Sequence, residues 1–289
     1  MPIPPVLYNI FSFLIAATCA FALSPLCCRL AVKIGAVDIP ADGRRMHTRA
    51  TPRVGGLAVF FAISVASALF FSREASLVPL LSGGLVIISA GLLDDVYRMS
   101  PWQKLLFQIA AAAVAVAFGG WGLPIGTSVL WLVFLSNAFN LIDGLDGLCA
   151  RVAVFSSLGM LALGGSPVLW ILAGGLIGFL PFNMRPAKLF LGDTGSLFVG
   201  FSLGVLSLDL ISRGGTANIL PVLFIFALPA ADTLFAVARR LVKGKSPFAP
   251  DREHFHHKLV DRGFSHGEAS LLLSLLSLAL SSIGVALGG

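Results

Sequence analysis

The sequence predicts an all-α, polytopic membrane helix bundle of about ten transmembrane helices, and three observations predict it. Charged residues make up only 12% of the 289 residues, while 57% are hydrophobic. A soluble domain carries about 25% charged residues, so the apolar excess here must face lipid. The apolar residues also fall into blocks of about 16–22, the length a helix needs to cross about 30 Å of hydrocarbon. Finally, the basic residues fall almost wholly on alternate connections between those blocks.

The blocks place spans at 7–27, 54–72, 77–93, 102–118, 127–142, 151–164, 167–182, 195–212, 217–238 and 268–287. Bases follow the first block, from Arg29 and Lys33 to Arg53, and none precedes it. A cleavable secretory signal has the opposite charge order, so the first helix is expected to be retained, with its N-terminus outside. The inside connections then lie near 28–53, 94–101, 143–150, 183–194 and 239–267. The inside face holds eighteen of the 20 basic residues, and the outside face only Arg73 and Arg213. A missed helix would scramble that asymmetry. Outer connections such as GGWGLPIGT and GGSP are short and nearly neutral. Chemistry is therefore expected at the cytoplasmic face, on a single integral-membrane domain covering 1–289.

The net charge of +6 follows from this topology and needs no nucleic acid. Cys19, Cys27, Cys28 and Cys149 show neither metal nor disulfide spacing and read as small apolar fillers. The one repeat visible is the local DGLDGL, which weakens an inverted-repeat transporter.

Five inside segments carry candidate chemistry. RATPRVGG (49–56) sets Arg49 and Arg53 beside a glycine pair at a helix start, where backbone N–H groups and cations suit phosphate. Positive-inside anchoring explains the same bases. GLLDDVYR (91–98) ends an apolar helix with Asp94 and Asp95. The helix dipole and mutual repulsion both disfavour two acids there. They call for a metal or a basic partner such as Arg98 or Lys104. NAFNLIDGLDGL (137–148) spaces Asn137, Asn140, Asp143 and Asp146 at i,i+3 on one helix face, with Gly144 and Gly147 free to leave the helix. Amides and carboxylates in that row suit a base and a sugar, although interhelical hydrogen bonding would also use them. KLFLGDTGS (188–196) sets Asp193 in a glycine-flanked turn, where it could hold a divalent cation against phosphate, with Thr194 and Ser196 as caps for the next helix. SPFAPDREHFHHK (246–258) gathers His254, His256 and His257 between Arg252 and Lys258, a phosphate or metal site with room for a short helix above it. Asp232 is a lone acid at membrane depth, expected to face the bundle and pair with a basic residue of the site. Together these groups suit metal-assisted phosphoryl transfer between anions.

These five motifs, in this order from about Arg44 to His266, resemble the polyprenyl-phosphate N-acetylhexosamine-1-phosphate transferases of the glycosyltransferase family 4 type. The resemblance implies a bacterial plasma (inner) membrane enzyme that needs Mg²⁺ or Mn²⁺. It would move an N-acetylhexosamine-1-phosphate from a UDP-N-acetylhexosamine to undecaprenyl phosphate, releasing UMP and starting an envelope polysaccharide. His254-Phe-His-His257 after PFAPDRE is similar to the UDP-N-acetylglucosamine branch. The branch using UDP-N-acetylmuramoyl-pentapeptide usually has three consecutive histidines, and often Lys where Arg98 stands. Carried over, Asp193 is the main metal ligand, with Asp94 able to touch the metal. Asp94 and Asp95 serve the lipid phosphate. Asn137, Asn140, Asp143 and Asp146 hold the nucleotide and sugar side. His254, His256 and His257, with Arg252, meet the diphosphate or sugar, and Arg49, Arg98 and Lys104 neutralise phosphates. A homodimer is compatible with this reading but not specified by it. The rival class, a transporter of an anionic phosphorylated solute, predicts polar groups in the outer loops, which are nearly bare.

Overall fold

The computed structural model describes residues 4–39, 50–246 and 253–288. The protein is an all-α membrane protein, with one two-residue hairpin as its extended structure among the described residues. The helices are α1 (Pro5–Ile34), α2 (Gly55–Phe70), α3 (Leu77–Tyr97), α4 (Pro101–Gly119), α5 (Ile125–Ile142), α6 (Leu148–Ala162) and α7 (Val168–Asn183). They continue with α8 (Gly192–Gly214), α9 (Ile219–Ile225), α10 (Ala227–Val242), α11 (Phe255–Asp261) and α12 (His266–Gly288). Among the described residues, six helical stretches are long and apolar enough to cross a membrane, and α2, α6 and α7 are shorter apolar helices.

Local chemistry sets the ends. Ser100 and Gln103 form a capping box at the start of α4, with Pro101 at its first position, where a missing N–H does no harm. α1 runs past the apolar block to a left-handed Gly35, with Lys33 in its last turn against the negative end of the dipole. The expected ninth span is broken at Phe226 into α9 and α10. Pro229 has no N–H to return to the Ile225 carbonyl, and its ring crowds that carbonyl; the helix breaks there, whereas α1 and α7 absorb Pro25 and Pro181 without a break.

α8 is the axis of the bundle. Its residues from Thr194 to Leu210 are all buried, and α2, α3, α5 and α6 pack around it. Lipid tails are as apolar as Leu, so close approach of small residues is what holds such a helix. α1 packs on α2 and α7, α4 on α3, and α12 on α6 and α9.

The loop before α2 is tied down by backbone hydrogen bonds. β1 (Val37–Asp38) pairs antiparallel with β2 (Thr51–Pro52). Phe190 N–H then donates to Pro52 O, and the N–H groups of Gly55 and Gly56 donate to Phe190 O and Leu191 O. This corrects one expectation: the glycine N–H groups at the start of α2 are satisfied by the 190–191 segment and are not free to receive phosphate.

Candidate active site

The N-terminal end of α8, the C-terminal end of α5 with the turn after it, the 183–190 segment and α11 line one cavity of about 430 Å³. That lies within the range of small-molecule sites. Asp94 and Asp95 of α3 and Lys104 of α4 do not line it but stand behind Asp193, bonded to it or to its neighbours. Asp193, Asn140, Asp143, Asp146, His256 and His257 all line it, as the sequence motifs led one to expect.

The two adjacent aspartates of α3 do different things. Asp95 is 5% exposed and spent on structure. It accepts from Asp193 N–H (3.1 Å), Thr194 N–H (2.9 Å), Thr194 Oγ1 (2.5 Å) and Arg53 Nε (2.8 Å). A carboxylate from another helix therefore caps α8, in place of Thr194 or Ser196, and satisfies donors that a helix start leaves orphaned. Gly192 makes this fit. Its φ is +71°, and a Cβ there would meet Arg53 O at 2.0 Å and Asp95 Oδ2 at 2.6 Å. Asp94 faces the other way. Its Oδ1 accepts from Met99 N–H (2.7 Å) and its Oδ2 from Lys104 Nζ (3.2 Å).

Lys104 also donates to Asp193, so its ammonium sits between the Asp94 and Asp193 carboxylates. Asn140 donates to Asp193 Oδ1 (3.1 Å) and Ser196 Oγ (2.8 Å), and Arg53 reaches within 3.8 Å of Asp193. Burial opposes the Arg53 charge, but Asp95 and Asp193 outweigh it and hold its pKa above the ordinary value. Asp143 caps the end of α5. Burial first, then Asp193 and Asp95, holds its pKa well above the usual carboxylate range. Asp146 Oδ2 accepts from Ala187 N–H (3.1 Å).

The histidine segment closes the cavity from the far side. His256 is 3% exposed, with Nε2 over Gly144, where a Cβ would lie 2.3 Å from that nitrogen. Burial, then the neighbouring His257 and His254, pushes His256 down to about 3, so it is neutral at cellular pH. Asp232 faces the bundle and pairs with His254, as its depth in the sequence led one to expect.

Other expected site residues stand elsewhere. Asn137 lies one turn deeper than Asn140 and exchanges hydrogen bonds with Gln108 (2.6 and 3.3 Å), the interhelical role. Arg98 is an exposed left-handed cap of α3 and does not line the cavity. His254 lies behind His256, bonded to Asp232. Arg49 and Arg252 lie outside the described residues. The lining also holds Asp38, Asn183, Arg185, Phe190 and His266, which no motif had singled out. Arg185 had counted only toward the inside charge. His266 opens α12 with no neighbouring signal.

Residues 77–211 match the family model described as glycosyl transferase family 4. Over 307 residues the chain is 35% identical to a probable undecaprenyl-phosphate N-acetylglucosaminyl 1-phosphate transferase of Bacillus subtilis, covering 96% of this chain and 84% of the relative. It is 36% identical to the decaprenyl-phosphate N-acetylglucosaminephosphotransferase of Mycolicibacterium smegmatis, covering 85% of this chain and 74% of the relative. Against the undecaprenyl-phosphate alpha-N-acetylglucosaminyl 1-phosphate transferase of Escherichia coli K12 the identity is 33%, over 89% and 78% of the two chains. The match runs through the segments that build the cavity, and the chain belongs to the polyprenyl-phosphate N-acetylglucosamine-1-phosphate transferases of glycosyl transferase family 4.

Proposed function

We propose that the protein transfers N-acetylglucosamine-1-phosphate from UDP-N-acetylglucosamine to undecaprenyl phosphate at the cytoplasmic face of a bacterial inner membrane, releasing UMP. The observation that carries this reading is the shared cavity: Asp193, Asn140, Asp143 and His256 come from three distant motifs, and Asp94, from a fourth, joins them through Lys104. The names of the relatives support the two substrates. The orientation rests on charge. Arg53, Lys104 and Arg185 stand at the cavity end, and Arg73 and Arg213 at the opposite ends of α3 and α8. The rule that basic residues stay inside then puts the cavity in the cytoplasm, the N-terminus outside and ten crossings between, α9 and α10 sharing one.

The donor set fits a magnesium or manganese ion. Mg²⁺ takes one or two carboxylates and leaves its other positions to water and substrate phosphates. Asp193 and Asp94 are two carboxylates already sharing a cation, the Lys104 ammonium, and would hold the metal there. Bound there, the ion would neutralise charge on the diphosphate.

The chain's own residues supply the rest. Lys104 and Arg53 offset the charge of the incoming lipid phosphate. Asn140 orients Asp193 through one amide hydrogen bond. Asp143 and Asp146 meet hydroxyl or amide groups of the nucleotide and sugar side, and neutral His256 offers Nε2 to the sugar phosphate. We favour direct displacement: an oxygen of the lipid phosphate bonds to the sugar-bearing phosphorus as the bond from that phosphorus to the bridging oxygen breaks, and the bridging oxygen leaves with UMP. Both Asp94 oxygens are engaged, by Met99 N–H and by Lys104, which suits a positioning role better than a covalent one. The test is purified protein with undecaprenyl phosphate, Mg²⁺ and UDP-N-acetylglucosamine. UMP and a lipid-linked sugar diphosphate are expected. The absence of both, or a phosphosugar trapped on the protein without acceptor, would overturn the reading or the direct route respectively.

A further inference from the structure

A buried acid on α10 takes no part in the cavity, although its bonds end one residue from a group that does. Asp232 is 2% exposed. A carboxylate at membrane depth is costly to insert, so its partners need an account. Both oxygens are committed to the segment entering α11. Oδ2 meets His254 Nδ1 at 2.7 Å, and Oδ1 accepts the Phe255 N–H at 2.8 Å, at the start of α11. Phe255 packs edge-on against Phe235 of α10, with ring centroids 6.0 Å apart. The clamp is thus one carboxylate and one aromatic ring of α10, Asp232 and Phe235, holding the start of α11.

The clamp transmits orientation. The His254 ring lies parallel to that of His256, at 4° and 5.7 Å between centroids, and His257 lies 4.2 Å beyond. His256 Nδ1 is buried without a hydrogen-bond partner, so the ring is not anchored through that nitrogen. Its direction, with Nε2 over Gly144, is set by what stands behind it. His254 does not line the cavity, and Asp232 does not touch it.

We propose that Asp232 is a positioning residue of the transferase site. It pins the 254–257 segment to α10 through His254 and the Phe255 N–H, so that His256 is presented over Gly144. This rests on the transferase reading only for its kinetic arm. The carboxylate meets two groups of the segment, His254 Nδ1 and the Phe255 backbone N–H. Asn at 232 could accept at one of these groups but would present its own N–H to the other.

The experiment compares D232N, H254Q, H256Q and the pairwise double variants by two readouts. The first is hydrogen–deuterium exchange of residues 255–261 in detergent. The second is UMP release with UDP-N-acetylglucosamine and undecaprenyl phosphate. We expect D232N and H254Q to raise exchange in 255–261 and leave α3 and α8 unchanged. Each should lower kcat by about 10–100-fold, the scale of a misplaced group, with the KM for the lipid phosphate preserved. In the H256Q background neither should add a further loss, because both act through that ring. Losses that multiply, or exchange unchanged in 255–261, would overturn the proposal. Failure of both D232N and H254Q to fold would also overturn it, since the pair would then hold the bundle and not the segment. Wild-type protein that releases no UMP would count against the transferase reading alone; the exchange arm would still decide the docking.

Discussion

At one end of α8, Asp193 faces Lys104, Arg53 and the cavity; at the other, Asp209 lies beneath Arg213. The two ends are polar clusters of similar parts. At the far end Arg213 bridges Glu74 (2.6 Å) and Asp209 (3.0 Å), and Ser166 and Ser76 extend the chain of hydrogen bonds. One guanidinium answers two acids, and the cluster staples α8 to the segments before α3 and α7. At the cavity end six aspartates, Asp38, Asp94, Asp95, Asp143, Asp146 and Asp193, gather around Arg53, Lys104 and Arg185. Both clusters hold two acids for each base, but the far one has a net surplus of a single acid that its guanidinium and hydroxyls tie up, and it makes a fastening. Acids in surplus, opening on a cavity, make a site that calls for a further cation and an anionic ligand.

The sharpest way to break that comparison is to remove one charge from the cavity end. D193N should abolish transfer, by at least ~10³-fold in UMP release. The change is isosteric, so membrane insertion and thermal stability should be preserved. Near-normal turnover in a folded variant would take Asp193 out of the mechanism. G144A comes next. Its Cβ would collide with His256 Nε2, and a shift of about 1 Å in a site group can lower turnover by roughly 10²-fold. An unchanged rate would show that His256 does not need its place over Gly144.

Much of this contrast is legible in the sequence, and the reasons are physical. Spans expected at 102–118 and 167–182 are found at Pro101–Gly119 and Val168–Asn183, because an apolar run of membrane length bounded by Ser-Pro, Gly or Asn leaves few alternatives. The break at Phe226 was hidden: ILPVLFIFALPA is apolar on both sides, and hydropathy does not see a missing N–H. In the site, spacing gave direction without depth. Asn137 and Asn140 share a face of α5, yet one turn decides which of them reaches Asp193. Asp94 and Asp95 are adjacent in the motif, and only the approach of the α8 N-terminus separates a charge carrier from a helix cap. Arg185 and His266 reach the cavity through tertiary packing and left no local pattern.

Stability gives the next pair of effects. D95A removes the cap of α8 and leaves Arg53 half-buried without its main partner; breaking such a pair costs about 3–5 kcal/mol. R213M at the far end leaves Asp209 and Glu74 short of a donor. We expect about 1–3 kcal/mol from unsatisfied acceptors, with kcat within about two-fold of wild type. Thermal unfolding in detergent beside UMP release measures both. If R213M loses much more than two-fold in turnover, the far cluster is more than a fastening.

The smallest effect tests the electrostatics of His256. A free histidine takes its proton near pH 6.5, whereas burial beside His257 and His254 delays that in the folded protein to about 3. Between those values the unfolded segment binds more protons than the folded one, so the docked state loses stability as pH falls through this window. H256Q has no such proton to take up. His254, paired with Asp232, and His257 are present in both proteins, so the difference between wild type and variant isolates the one ring. From pH 7 to pH 5 the wild-type segment 255–261 should lose about 1–2 kcal/mol more protection against hydrogen exchange than H256Q does. Equal slopes would mean that the ring is hydrated, and that its neutral state is not imposed by the clamp behind it.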